Sequence, residues 1–309
     1  MAIYYFCRGN FKQMYDIISK YCAVKENESL KNHTTFNIGG IAKLAAFPHS
    51  AEALAGVIKM IKGHGINYIL LGAGSNVLIC ENYFDGIAVI TSQMAAARTV
   101  GDYIYADCGV SLNKLAALAK ENSLSGLEFA YGIPGTLGGA VYMNAGAYGG
   151  QTGDIVDSSE YIDAGTLEIK ALGAERHGFG YRTSVYGKNK DFIMLSAVLK
   201  LKRGDKSEIE SAMNKNMAAR RQKQPLEYPS AGSAFKRGDN FFAAQLIDGC
   251  GLKGFTVGGA QVSEKHAGFI INKGNATFSD VVNLTEHIKS AVYDKTGITI
   301  EREIKIIEF

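Results

Sequence analysis

Three residues on separate segments could together do acid-base and charge-stabilising chemistry. Ser233 sits in Tyr228-Pro229-Ser230-Ala231-Gly232-Ser233-Ala234-Phe235-Lys236, among small residues with basic side chains close behind. Such a run reads as tight, exposed backbone that presents the hydroxyl rather than packing it in a helix. Arg182 lies in Phe179-Gly180-Tyr181-Arg182-Thr183-Ser184, and Glu303 lies in Glu301-Arg302-Glu303-Ile304-Lys305-Ile306-Ile307. An arginine is a permanent cation with a planar fork suited to a carboxylate whose charge grows during reaction. A serine can donate a proton if neighbours help it, and a carboxyl can hold or share one. Each has an ordinary alternative: Arg182 as a surface ion pair, Ser233 as a turn hydroxyl, Glu303 on the polar face of an edge strand.

Two glycine-rich segments stand upstream. Leu71-Gly72-Ala73-Gly74-Ser75-Asn76 follows the short apolar run Tyr68-Ile69-Leu70-Leu71, which reads as a strand. Successive backbone N–H groups there could cradle a phosphate, with Ser75 and Asn76 adding donors. The spacing is not GxGxxG and no helix is expected to follow, which disfavours a Rossmann dinucleotide site. The stretch from Gly132-Ile133-Pro134-Gly135-Thr136-Leu137-Gly138-Gly139-Ala140 to Gly149 is too long for one turn. Its apolar residues are spaced by glycines, so it packs against something flat or charged, and Gly139 is expected to be needed for that close packing. Two backbone-lined segments suit a large cofactor with a diphosphate in its middle. The alternative for each is an ordinary glycine turn or a close-packed helix.

These segments need a scaffold. Phe11, Met14, Tyr15 and Ile18 share one helical face. Ser50 and Ser111 are candidate caps for helices carrying Leu54, Val57, Ile58 and Ile61, and Leu112, Leu115, Ala116 and Ala119. Residues 86–91, 102–107 and much of 154–201 read as strands. A helix over 206–222 stops before Pro225, another spans about 241–248, and Thr277 with Asp280 forms a capping-box pattern for a helix to about Tyr293. Strands are expected at 268–272 and 298–307. Helices and strands intermix, which predicts an α+β fold.

The bulk numbers exclude several classes. A length of 309 residues suggests two or three modest domains, and 47% apolar residues fill a core. A net charge of +3 is too small to imply nucleic acid. The five cysteines, Cys7, Cys22, Cys80, Cys108 and Cys250, are scattered without CxxC spacing, and the six histidines show no metal spacing, so no metal is expected. The apolar start, Met1 to Cys7, is too short for a secretory core or a membrane span. The expectation is a cytoplasmic protein with no membrane partner.

The order of the motifs carries a resemblance. His33-Thr34-Thr35-Phe36-Asn37-Ile38-Gly39-Gly40, then the two glycine segments, then Tyr181-Arg182, Gly232-Ser233-Ala234-Phe235 and Arg302-Glu303 resemble UDP-N-acetylenolpyruvoylglucosamine reductase over residues 33 to 307. The resemblance implies an FAD-binding domain of the p-cresol methylhydroxylase and vanillyl-alcohol oxidase type in two subdomains, about 33–92 and 93–203. A C-terminal α+β substrate-binding domain, 204–309, follows it, and a helical extension, 1–32, precedes it. It further implies that a hydride passes from NADPH through non-covalent FAD to the vinyl carbon of the enolpyruvyl sugar nucleotide, in two half-reactions. Arg182 would hold the substrate carboxylate. Ser233 would deliver the proton. Glu303 would hold the enolate carboxylate, share a proton with it or orient Arg182. Gly72, Ala73, Gly74, Ser75, Asn76, Ile133, Pro134, Gly135, Thr136, Gly139 and Ala140 are placed at the FAD. Tyr131, Asn144, Arg221, Lys236 and Arg237 are placed among the substrate contacts, with Lys236 and Arg237 as candidate helpers of Ser233. Arg220, Arg221 and Lys223 are candidates to meet the substrate diphosphate, and Arg220 and Arg221 read equally as the solvated end of a helix. The chain resembles the family's second, shorter type, because residues 183–200 leave no room for a substrate-closing loop. No protein partner is implied, and a monomer is expected. A flavin oxidase of the same cofactor fold acting on an alcohol or sugar, and a non-enzymatic nucleotide-binding module, are the competing readings. The distal serine, arginine and glutamate motifs argue against both.

Overall fold

The structure is a computed structural model, and residues 11–309 are described. Cys7 and the apolar segment before it lie outside the described residues, as does the first part of the expected extension. The chain forms two compact units. The first takes residues up to Asn27, then Lys43–Ala73 and Asp85–Ala218; the second takes Glu28–Ala42, Gly74–Phe84 and Ala219–Phe309.

The first unit carries a four-stranded sheet in the order Ala23–Ser29, Ile41–Phe47, Phe84–Ile90, Tyr68–Leu71, the last two running parallel. A five-stranded antiparallel sheet follows in the order Glu168–Gly173, Val156–Asp163, Phe192–Lys200, Tyr103–Asp107, Ala97–Val100. One apolar cluster joins them. It takes Leu44, Ile87 and Val89 from the first sheet, Ile104, Ile162 and Leu199 from the second, and the inner faces of helices Ala51–Gly63 and Leu112–Glu121. Those two helices start where the serines predict. Ser50 accepts a hydrogen bond from Ala53 N–H and Ser111 from Lys114 N–H, both at 3.2 Å. The described part of the expected 1–32 extension, residues 11–32, is not a separate helical element. Helix Phe11–Ile18 buries Met14 and Ile18 in the main core, and Ala23–Ser29 is a sheet strand.

The second unit has a four-stranded antiparallel sheet in the order Ser230–Ser233, Phe269–Asn272, Ala260–Val262, Thr256–Val257. Helices Ala243–Gly249 and Phe278–Thr296 accompany it. The second helix opens on the capping box: Thr277 Oγ1 accepts from Asp280 N–H at 3.1 Å, and Asp280 Oδ2 from Thr277 N–H at 2.9 Å. Its core draws on three separated stretches, with Phe36, Ile38 and Leu78 buried among Phe235, Ile247, Ile270, Leu284, Ile288 and Ile304.

The units are therefore not the consecutive segments 33–203 and 204–309. The reason is one parallel pairing, Val77–Ile79 with Lys305–Ile307, which draws residues beyond the first glycine loop into the C-terminal core. The last strand is also shorter than the expected 298–307, because residues 301–303 run beside 234–236 through a single bridge instead of a continuous ladder.

Candidate active site

The two glycine segments meet in the first unit. A Cβ built on Gly72 would lie 2.3 Å from Thr136 Oγ1, so only glycine permits this approach. Gly74, at φ +60°, is equally constrained within the second unit, where a Cβ would stand 2.0 Å from the His33 carbonyl oxygen. Thr35 N–H bonds the Gly74 carbonyl at 3.2 Å, and Thr35 Oγ1 donates to the Ser230 carbonyl at 2.6 Å. The 33–40 motif is thus a joint between the glycine loop and the serine strand.

The two segments differ in what they offer a ligand. No backbone carbonyl among the described residues accepts from Ala73, Gly74 or Ser75, which leaves three adjacent donors for an anionic group. In the second segment the opening N–H groups of helix Leu137–Met143 are engaged. Leu137 N–H bonds Val110 O at 2.8 Å, Gly138 N–H bonds Cys108 O at 2.7 Å, and Gly139 N–H meets the Thr136 cap at 3.4 Å. That segment offers bare surface in place of donors. Gly139 is not held by close packing as expected: it is exposed, and a Cβ there meets only Thr136 Oγ1 at 3.6 Å. Pro134 is exposed, Gly135 half-buried, and Ile133 packs on the core, whereas Ala140 is buried. The open donors of the first loop suit an anionic group such as a diphosphate, and the bare surface of the second suits a flat one.

Arg182 stands at the tip of a tight turn in the first unit. Gly180 N–H bonds Thr183 O at 3.1 Å, and Thr183 N–H bonds Gly180 O at 3.3 Å. Arg182 takes φ +54°, a left-handed conformation that non-glycine residues adopt only when their surroundings impose it. Its guanidinium lies 5.3 Å from the Tyr181 ring centroid. Asn144, expected among the substrate contacts, has a different task. It is buried, and its amide donates to Gly180 O at 3.0 Å and Gln151 Oε1 at 3.1 Å while accepting from Gly153 N–H at 2.8 Å. Both amide hydrogens and the oxygen are committed to placing loops. Beyond Arg182 only the short helix Val185–Lys188 precedes strand Phe192–Lys200.

Ser233 and Glu303 come together in the second unit. Ser233 is not on an exposed loop: it ends a half-buried strand paired to Phe269–Asn272. The register slips between Ser230 and Ser233, where Gly232 takes φ +75°, so a bulge turns the serine. Ala234 N–H bonds Gly268 O and Glu303 N–H bonds Ala234 O, both at 2.8 Å, which puts Glu303 on the neighbouring segment. Asn76, placed at the cofactor from sequence, donates its amide to the Glu303 carbonyl at 3.3 Å, and its own carbonyl accepts from Lys305 N–H at 3.0 Å.

Known proteins fit this anatomy. Residues 42–170 match the family model for an FAD binding domain, and 224–307 match that for the C-terminal domain of UDP-N-acetylenolpyruvoylglucosamine reductase. The reductase of that name from Caldanaerobacter subterraneus subsp. tengcongensis is 45% identical, with 91% of this chain and 92% of that one covered. The Clostridium tetani reductase is 44% identical, with 92% of each covered. The chain belongs to the UDP-N-acetylenolpyruvoylglucosamine reductase family. The crystal structure of the reductase from Thermus caldophilus superposes with a TM-score of 0.79 at 32% identity, covering 93% of this chain and 99% of that one. Alkyldihydroxyacetonephosphate synthase shares the cofactor fold alone, at 16% identity and a TM-score of 0.50, with 63% of this chain and 44% of that one covered. The fold is α+β, with an FAD-binding domain and the reductase's own C-terminal domain.

Within the family frame the basic residues sort by burial. Lys236 pairs with Glu301, Nζ to Oε2 at 2.8 Å, and that contact holds the Glu301 carboxyl below its ordinary range. Arg221 and Arg237 are exposed. The buried cation is Arg220, at 6% exposure, with Nη1 3.4 Å from Gln224 Oε1. Helical periodicity could have separated it from Arg221, because Arg220 follows Ile209 and Met213 on the buried face of helix Lys206–Lys223, whereas Arg221 lies off it. Tyr131 is half-buried against the first unit's core. Sequence reasoning also missed His177, Ser159 and Tyr186, a buried hydrogen-bonded trio behind the Arg182 turn.

Proposed function

We infer that this chain reduces UDP-N-acetylenolpyruvoylglucosamine to UDP-N-acetylmuramate with FAD as cofactor and NADPH as reductant. The observation that carries the reading is the union, in one chain, of an FAD domain and the C-terminal domain named for this reductase. The flavin, when bound, supplies two-electron hydride transfer. Ala73, Gly74, Ser75 and Asn76 would hold it through backbone donors, and Gly72, Thr136 and Gly139 would line its site.

The protein's own residues then supply positioning and proton handling. Arg182, pushed out by its strained turn, takes the substrate carboxylate, where negative charge grows as the double bond is reduced. Ser233 gives its proton to the carbon beside that carboxylate. A hydroxyl is a weak acid, and the Lys236 ammonium is engaged with Glu301, so the proton lost by Ser233 is replaced from Glu303 or water. Arg220 and Arg221 receive the diphosphate, and Tyr131 contacts the sugar nucleotide.

No helix among the described residues is long and apolar enough to cross a membrane. We place the enzyme in the cytoplasm as a monomer, acting on water-soluble, charged reactants, with light scattering as the check on its assembly.

The test is NADPH consumption by purified, yellow protein, followed at 340 nm. Oxidation that depends on UDP-N-acetylenolpyruvoylglucosamine is expected, and acid denaturation should release FAD. Flavin that stays covalently attached, or NADPH oxidation indifferent to the sugar nucleotide, would favour an oxidase of the same fold.

A further inference from the structure

We propose that Ser159 is a positioning residue for Arg182: its buried hydroxyl ties together the two ends of the 177–186 segment that carries the Arg182 turn. Ser159 lies within strand Val156–Asp163, paired with Leu172 on one side and Ala197 on the other. It is therefore fixed to the second strand of the five-stranded sheet, which is paired on both sides. Its Oγ is 2.7 Å from His177 Nε2 and 2.6 Å from Tyr186 Oη. All three side chains are buried, His177 at 0% exposure.

The direction of each hydrogen bond follows from chemistry. His177 Nδ1 lies 3.0 Å from the Gly173 carbonyl and 3.2 Å from that of Ala174. Carbonyls only accept, so Nδ1 carries the hydrogen. Burial pushes the His177 pKa down and keeps the ring neutral, so Nε2 is an acceptor. Ser159 must then donate to Nε2, and its oxygen accepts from the Tyr186 hydroxyl. A neutral ring permits no other arrangement that satisfies all three groups.

Those ends control the turn. On one side the His177 ring stacks on Phe179, with centroids 5.1 Å apart and planes 1° from parallel. On the other, buried Ser184 donates to the Tyr142 carbonyl at 3.0 Å, and Tyr186 follows in helix Val185–Lys188. Between them Arg182 is held at φ +54°. A tip in a strained conformation relaxes when its base is loosened. Ser159 is the hydroxyl that both halves of the base share.

The proposal rests on the reading of Arg182 as the carboxylate-binding cation, and the test keeps the two apart. Full-length, FAD-loaded Ser159→Ala, Tyr186→Phe and Arg182→Lys are compared by hydrogen exchange over 177–186 and by stopped-flow flavin absorbance. Ser159→Ala should exchange faster at 178–184 and keep wild-type flavin reduction by NADPH. Its reoxidation by the enolpyruvyl substrate should slow ~10- to ~100-fold, the scale of a small misplacement, with the loss in kcat more than in KM. Tyr186→Phe leaves the Ser159–His177 bond intact and should shift both readouts the same way by less. It also keeps the test open if Ser159→Ala does not fold. Unchanged exchange and reoxidation in either variant, beside a crippled Arg182→Lys, overturns the role of Ser159. Equal slowing of both half-reactions overturns it too, since that reports general damage. Wild-type reoxidation by Arg182→Lys means that the reading of Arg182 has failed, and the proposal with it.

Discussion

The turn that carries Arg182 and the ladder that carries Ser233 and Glu303 are held by different kinds of bond. In the first unit two main-chain bonds close the turn between Gly180 and Thr183, and side chains fix its base: Asn144 grips Gly180, Ser184 grips Tyr142, and Ser159 joins His177 to Tyr186. In the second unit, Ser233 and Glu303 are aligned by main chain, through Ala234 to Gly268, Glu303 to Ala234 and Lys236 to Glu301. The Asn76 amide on Glu303, the Thr35 hydroxyl on Ser230 and the Lys236–Glu301 ion pair add to it from side chains. A side-chain scaffold can be broken by point substitution at a distance. A main-chain scaffold tolerates such changes, so substitutions along it report chemistry more than geometry.

Substitution at Ser233 should give the largest effect and the clearest contrast. Since main chain aligns the strand, Ser233→Ala should fold and bind FAD normally while steady-state turnover falls by ~10²- to 10⁴-fold, as for loss of a general acid. Arg182→Lys comes next. The charge survives but the planar fork does not, and turnover should fall by ~10²- to 10³-fold, comparable to removing one stabilising donor. Initial-rate kinetics on FAD-saturated protein measures both, and near wild-type turnover in either variant removes that residue from the mechanism.

Asn144→Ala tests the side-chain scaffold itself. It removes one partner from the Gly180 carbonyl, the Gly153 N–H and the Gln151 amide oxygen, and it places alanine at φ +44°. Urea unfolding should show a loss of ~1–3 kcal/mol, with substrate turnover falling more than flavin reduction. A variant as stable as wild type would show that the Asn144 network does not hold the turn.

The pH response should also separate the regions. Burial lowers the pKa of His177 in the first unit and of His266 in the second. Each therefore stabilises the fold in its neutral form above its unfolded pKa of about 6.5. That contribution is lost as pH falls through the lower folded value. Thermal melts from neutral to mildly acid pH should decline, and His177→Gln should flatten part of that decline. An unaltered slope would mean that His177 is protonated without penalty.

The smallest effect is expected at Lys236. Its ion pair with Glu301 is exposed, and the strand it flanks is already aligned by backbone. Lys236→Met should leave the urea midpoint almost unchanged and turnover within a few-fold. A collapse in turnover would return Lys236 to the proton relay.

What the sequence disclosed divides along the same line. The caps at Ser50, Ser111 and Thr277 were legible because their partners lie three residues away. Arg182, Ser233 and Glu303 stood out as residue types inside recognisable motifs. Their supports did not, because each depends on a partner distant in the chain. The pairing of Val77–Ile79 with Lys305–Ile307 interleaves the two units and has no local signature. The bulge at Gly232 appears in sequence only as one more glycine among small residues. Ser159 sits in an alternating strand pattern, where nothing marks it as the partner of His177 and Tyr186.

The most direct test of the central claim is stopped-flow flavin absorbance on Ser233→Ala, with each half-reaction followed alone. NADPH should bleach the flavin at close to the wild-type rate, because no proton reaches the sugar nucleotide in that step. Reoxidation by UDP-N-acetylenolpyruvoylglucosamine should be slowed severely. Equal slowing of both steps would contradict the account by making Ser233 a part of the cleft's shape. An unchanged rate in both would assign the proton to another donor.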